Sequence, residues 1–138
     1  MSTKLLFTNA HLICPEQGID GKGWLVTEGG NITAIGTDDK VASEAKDAEL
    51  IDCRGDILAP GLVDMRVKSG DPGAEHLETL SSLKDAAAHG GITSFAILPS
   101  TEPVIDTAAM IDSLHLRASR IDGPSLHCYG AITKELED

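Results

Sequence analysis

The chain has 138 residues, 11 basic and 22 acidic, for a formal charge of −11 with its five histidines neutral, and 41% of it is hydrophobic. That length suits one domain with a packed core, and the acidic balance excludes a phosphate-tracking nucleic-acid binder, which needs clustered Lys and Arg. The apolar run at 92–98, interrupted by Thr93 and Ser94, falls far short of the roughly 20 residues of a membrane span, and no secretory-signal pattern opens the chain, so a cytoplasmic protein away from membranes is expected.

Residues 1–59 read as short strands punctuated by glycine. A β-rich run at 4–13 comes first. Gly18, Gly21 and Gly23 then break the chain before a strand at 24–27, and Glu28-Gly29-Gly30-Asn31 turns it back through 32–36 as a hairpin. Gly21-Lys22-Gly23 lacks the third glycine and the strand-to-helix context of a nucleotide fingerprint, and is read as structural. Residues 37–47, charged and alanine-rich, predict a loop or a short exposed helix. Short strands at 50–53 and 57–59 flank an Arg54-Gly55-Asp56 turn.

From Pro60 the period changes. A strand at 62–67 is followed by Pro72-Gly73, which opens a predicted helix over 74–89 with Leu77, Leu80, Leu83 and Ala87 inward and Gly90-Gly91 as its stop. A strand at 92–98 follows. Asp106 is the predicted N-cap of a helix to 120 with Ile111, Leu114 and Ala118 inward, and a third strand covers 125–133. Strands joined by helical crossovers should pair in parallel with right-handed connections. In doubly wound sheets and (β/α)8 barrels alike, chemistry gathers at the C-terminal strand ends. Here those ends are 66–73, 99–103 and 131–134.

Cys14, Cys53 and Cys128 are odd in number and widely spaced, without a CxxC or a Cys/His cluster at zinc spacing. They are read as small buried apolar residues in a reducing compartment. His76, His89 and His115 fall on the predicted helical segments, facing solvent or capping. His11 and His127 lie in strands without a partner at metal-ligand spacing.

Ala59-Pro60-Gly61-Leu62-Val63-Asp64-Met65-Arg66-Val67-Lys68, followed by Asp71-Pro72-Gly73-Ala74-Glu75, resembles the barrel start of dihydroorotases in the amidohydrolase superfamily. Ala88-His89-Gly90-Gly91-Ile92-Thr93, Leu98-Pro99-Ser100-Thr101-Glu102-Pro103 and Gly130-Ala131-Ile132-Thr133-Lys134 extend the resemblance in the right order. It implies an α/β chain: the N-terminal portion of a metal-dependent-hydrolase (β/α)8 TIM barrel, preceded by a small β-sandwich domain. Residues 1–59 are then the sandwich part, incomplete by itself, and 60–138 the first three barrel strands with two helices.

Active members of that family carry His-x-His at the end of the first barrel strand. Strand alternation sends both imidazoles to one face, where neutral nitrogens bind zinc. The matching positions are Arg66 and Lys68. A guanidinium has no free lone pair, and an ammonium would have to lose its proton beside another cation. The family's substrate-carboxylate arginine matches Gly70, and the asparagine of its Pro-Asn-Thr segment matches Ser100. The metal-bridging carboxylate, two further histidines and the catalytic aspartate are expected beyond Asp138. No cofactor is therefore expected in this chain. Arg66 and Lys68 either pair with acids such as Asp64, Asp71 or Glu75, or form a cationic pocket for an anion.

The resemblance favours a non-catalytic dihydroorotase homologue of pyrimidine biosynthesis, a structural partner of aspartate carbamoyltransferase that self-associates. The alternative is an active dihydroorotase, or another cyclic amidohydrolase such as a hydantoinase or allantoinase, in full-length form. A (β/α)8 barrel needs about 200–250 residues, so this chain is expected to be a piece of a longer polypeptide.

Overall fold

A computed structural model describes residues 3–37 and 45–137. The chain divides into two compact units, Met1–Pro60 and Gly61–Asp138.

The first unit is one five-stranded sheet. Strand β1 (Lys4–Cys14) pairs antiparallel with β2 (Ile19–Glu28), which pairs antiparallel with β3 (Asn31–Gly36). On its other side β1 pairs in parallel with β4 (Glu49–Asp52) and then β5 (Ile57–Leu58). The change of partner falls at a bulge between Phe7 and Ala10, where Asn9 adopts φ +52° and its Nδ2 donates to Asp52 Oδ1 at 3.0 Å. The sheet carries two small cores. Leu6, Trp24 and Val26 form one; Ala10, Leu12 and Leu25 form the other. The predicted hairpin is present. The glycines before Trp24, however, do not interrupt β2. A Cβ on Gly23 would sit 2.5 Å from the Gly36 carbonyl oxygen and against Leu12, so this glycine makes room inside a continuous strand. Most of the exposed segment predicted at 37–47 lies outside the described residues.

The second unit is a three-stranded parallel sheet in the order β6 (Leu62–Val67), β7 (Ile92–Ile97), β8 (Ser125–Cys128). Parallel pairing is what the alternation of strand and helix predicts. Helices α1 (Leu80–His89) and α2 (Ala108–Ala118) pack on the sheet. Leu80, Leu83 and Ala87 of α1 and Leu114 and Ala118 of α2 enclose Phe95, Ile97 and Leu126. Burying each large side chain of this set contributes about 1.5–3 kcal/mol.

Three boundaries differ from the sequence reading. Helix α1 begins six residues later than predicted, because Pro72-Gly73 shapes a loop instead of opening a helix. Its N-cap is Thr79, in a reciprocal box with Ser82: Thr79 Oγ1 accepts from the Ser82 amide at 3.2 Å, and Ser82 Oγ from the Thr79 amide at 3.0 Å. Leu77 is consequently exposed, at 78%, not inward. The cap of α2 is Thr107, whose hydroxyl accepts from Met110; Asp106, one residue earlier, accepts from the Glu135 amide instead. Strand β8 stops at Cys128, since Ala131 donates to Ile105 in the preceding loop at 2.8 Å.

Candidate functional site

The C-terminal ends of β6, β7 and β8 lie side by side, and the loops that leave them are tied together. Leu98 donates to Val67 at 2.9 Å and Tyr129 to Ile97 at 3.0 Å, carrying the ladder one step beyond the strands. Glu102 donates to Pro72 at 3.3 Å. Gly73, at φ +105°, makes this meeting possible: a Cβ there would lie 2.7 Å from the Glu102 carbonyl carbon and closer to its oxygen. The Asp71–Pro72 and Glu102–Pro103 peptide bonds are both cis. Within the second loop the hydroxyl of the buried Thr101 donates to the Pro103 carbonyl at 2.8 Å.

Asp71 anchors the first loop from below. Its carboxylate is 2% exposed and pairs through Oδ2 with the Arg117 guanidinium from the last turn of α2, while Oδ1 has no hydrogen-bond partner. Its amide donates to Ser69 Oγ at 3.1 Å, and the same hydroxyl donates to its carbonyl at 2.7 Å. Glu75 Oε1 accepts the Gly73 amide at 3.0 Å, and backbone hydrogen bonds from Gly73 and from Glu75 itself hold that carboxyl below its ordinary range.

The side chain of Val67 packs against the core under the helices, so strand alternation directs Arg66 and Lys68 to the opposite face. Phe95, Ile97 and Leu126 belong to the core as well, which places Ser94, Ala96, Ser125 and His127 on the same open face as the two cations. Arg66 and Lys68 are exposed, and among the described residues neither has an ion-pair partner. The acids named for that role are engaged elsewhere: Asp71 with Arg117, Glu75 with the Gly73 amide, and Asp64 Oδ1 with the backbone N–H of Arg66 at 2.9 Å.

Gly70 is enclosed by backbone. A Cβ there would lie 2.8 Å from the Glu78 carbonyl oxygen and 2.9 Å from that of Ala74, so this loop leaves no room for an arginine. Ser100 is exposed just past β7. The donor set does not suit zinc. Among the described residues no group of three or more His, Cys, Asp or Glu is placed to hold a metal, and Arg66 and Lys68 at the strand end are cations without a free lone pair.

The histidines and cysteines fall elsewhere. His76 lies in the turns before α1 and not on a helix; His89 Nδ1 is 2.8 Å from the Asp85 carbonyl oxygen, and His11 Nε2 is 2.6 Å from Asp20 Oδ1. All three cysteines are free, and each is only half-buried, not enclosed as expected. Two polar features escaped the sequence reading. The Asp71–Arg117 pair spans 46 positions and leaves no local signal. Lys84 is 4% exposed and donates to the carbonyls of Ala118, at 2.9 Å, and Ile121 at the end of α2. Its place one turn after Leu80, on the apolar face, was the available clue. A cavity of about 350 Å³ beside Lys84 and His115 opens at the N-terminal end of β8, away from the strand ends considered above.

Comparison with known proteins fits this geometry. The chain superposes on the L-hydantoinase (dihydropyrimidinase) of Arthrobacter aurescens with TM-score 0.72 and 23% identity, covering 94% of this chain and 28% of that one. The ochratoxinase of A. niger gives TM-score 0.64 and 18% identity over 94% of this chain and 32% of its own. The chain therefore shares the α/β fold of a part of each of these two structures. The Dihydro-orotase-like family pattern matches residues 55–138. The chain is 38% identical over 130 residues to the dihydroorotase of Wolbachia sp. subsp. Drosophila simulans (strain wRi), covering 94% of itself and 29% of that protein. With the dihydroorotase of Syntrophotalea carbinolica it shares 39% over 134 residues, 97% of itself and 31% of that protein. The chain belongs to the dihydroorotase-like family, and it spans less than a third of the length of these relatives. Among the described residues no helix is long and apolar enough to cross a membrane.

Proposed function

We propose that the chain is the N-terminal portion of a (β/α)8 barrel with part of a β-sandwich before it, in a cytoplasmic dihydroorotase homologue whose metal site is degenerate. The protein serves pyrimidine biosynthesis without catalysing ring opening, as a self-associating structural partner of aspartate carbamoyltransferase. One observation carries this reading: at the end of β6, where the family's resemblance puts two zinc-binding histidines, stand Arg66 and Lys68, both exposed and turned to the open face. Two positive charges there repel a divalent ion and supply no lone pair. Gly70, closed in by backbone, adds the loss of the substrate-carboxylate arginine.

The second reading is an active cyclic amidohydrolase in full-length form, acting on dihydroorotate or on a hydantoin-like ring. The 38–39% identity to proteins named dihydroorotase and the hydantoinase-like fold favour it. Ring opening of dihydroorotate, measured with excess zinc on the intact protein, separates the two. The proposal expects no metal-dependent turnover; turnover that disappears on chelation would establish the second reading.

A further inference from the structure

Among the described residues Arg66 and Lys68 have no ion-pair partner, in a chain with twice as many acids as bases. This is not for want of nearby carboxylates. Asp64, Asp71 and Glu75 all lie within nine positions of Arg66, and each is turned to another donor: a backbone amide, a buried guanidinium, and the Gly73 N–H. None of the three forms an ion pair with either cation among the described residues, although the Asp64 carboxylate rests on the backbone N–H of Arg66 itself.

The neighbouring strands add no acid to the face to which the cations turn. Its residues on β7 and β8 are Ser94, Ala96, Ser125 and His127, none of them acidic. Two residues apart on extended chain, Arg66 and Lys68 have Cα atoms about 6.6 Å from each other. That spacing lets a guanidinium fork and an ammonium converge on one group of oxygens. Ser100, exposed past the neighbouring strand, adds a hydroxyl donor at the same end of the sheet.

From this arrangement we infer that Arg66 and Lys68 form an oxyanion-binding site at the end of β6, taking a small ligand that presents a carboxylate or phosphate group. Arg66 binds two oxygens side by side, and Lys68 neutralises the remaining charge. The inference rests on the reading that these positions no longer hold a metal.

Calorimetric titration of the intact protein in low-salt, phosphate-free buffer tests it, with inorganic phosphate and succinate as separate probes. Saturable binding of at least one probe is expected. Binding should weaken about tenfold in Arg66→Gln and in Lys68→Gln, as the loss of one charge-assisted hydrogen bond requires. It should vanish in the double variant and stay unchanged in Lys22→Gln, an exposed cation of the first unit. Saturation by succinate alone identifies a carboxylate ligand, and saturation by phosphate alone a phosphorylated one. No saturable binding of either probe, or binding that survives the double variant, overturns the inference. Because all three substituted side chains are exposed, circular dichroism melts of the variants should match the parent. Absent anion binding with absent turnover defeats this inference alone, whereas metal-dependent ring opening defeats the reading beneath it.

Discussion

Arg117 reaches from the last turn of α2 to a carboxylate that solvent barely touches. Replacing it with methionine keeps much of the aliphatic packing but strands Asp71 without its one side-chain partner, since Oδ1 already lacks one. A buried charge deprived of its partner costs about 3–5 kcal/mol, so Arg117→Met should lower the urea midpoint by an amount in that range, read against the parent's slope. A loss below about 1 kcal/mol would show that the pair is dispensable. Cys128 gives a pH-dependent prediction. Burial pushes its thiol from an ordinary 9.0 up to about 11. The folded chain keeps a proton that the unfolded chain releases between those values, so this contribution to stability is present below pH 9 and lost as pH rises through about 11. Alkylation of Cys128 by iodoacetamide, followed by peptide mass spectrometry, should keep accelerating above pH 9. Levelling off at 9 would contradict the assignment. At this scale the sequence was informative about chemistry and poor about partners. That positions 66 and 68 carry cations and no zinc-ligating side chain is visible in the residue types alone. The engagement of Asp71 by Arg117 depends on where α2 ends in space.

The two crossover helices show what local pattern conveys. The inward positions Leu80, Leu83 and Ala87 of α1, and Leu114 and Ala118 of α2, follow from helical periodicity and are buried as predicted. The start of α1 was misread because Pro72-Gly73 is also a common helix opening. Here those residues meet the loop after β7, a non-local demand that no window of sequence contains. The demand can be measured. Gly73 and Gly91 lie in the same unit and both have positive φ, at +105° and +74°, but a Cβ on Gly91 meets nothing within 4 Å while one on Gly73 strikes the Glu102 backbone. Gly91→Ala should cost about 1–2 kcal/mol, from backbone strain alone. Gly73→Ala should cost at least ~1–3 kcal/mol more, because the two loops must part. Equal melting temperatures for the two variants would mean that the loops are not held together at that point.

Over the whole molecule, the strand–helix–strand alternation that follows the glycine-punctuated strands was enough to anticipate a parallel sheet. The sequence did not reveal that β1 divides its length between β4 and β5 at a bulge, since Asn9 reads as an ordinary strand residue until its partner Asp52 is in place. Leu62, Val63 and Met65 remain more than half exposed on β6, at one end of the sheet. These are residues that further strands would cover in a closed barrel. The proposed function turns on the end of that same strand, where Arg66 and Lys68 stand at the positions that the resemblance to dihydroorotases gives to metal ligands. Zinc content settles this most directly: the intact protein and its Arg66→Ala and Lys68→Ala variants are dialysed against zinc, desalted, and measured for metal per chain by elemental analysis. The account predicts that neither substitution lowers the zinc retained. About one tightly held zinc per chain, lost when either residue is replaced, would contradict it.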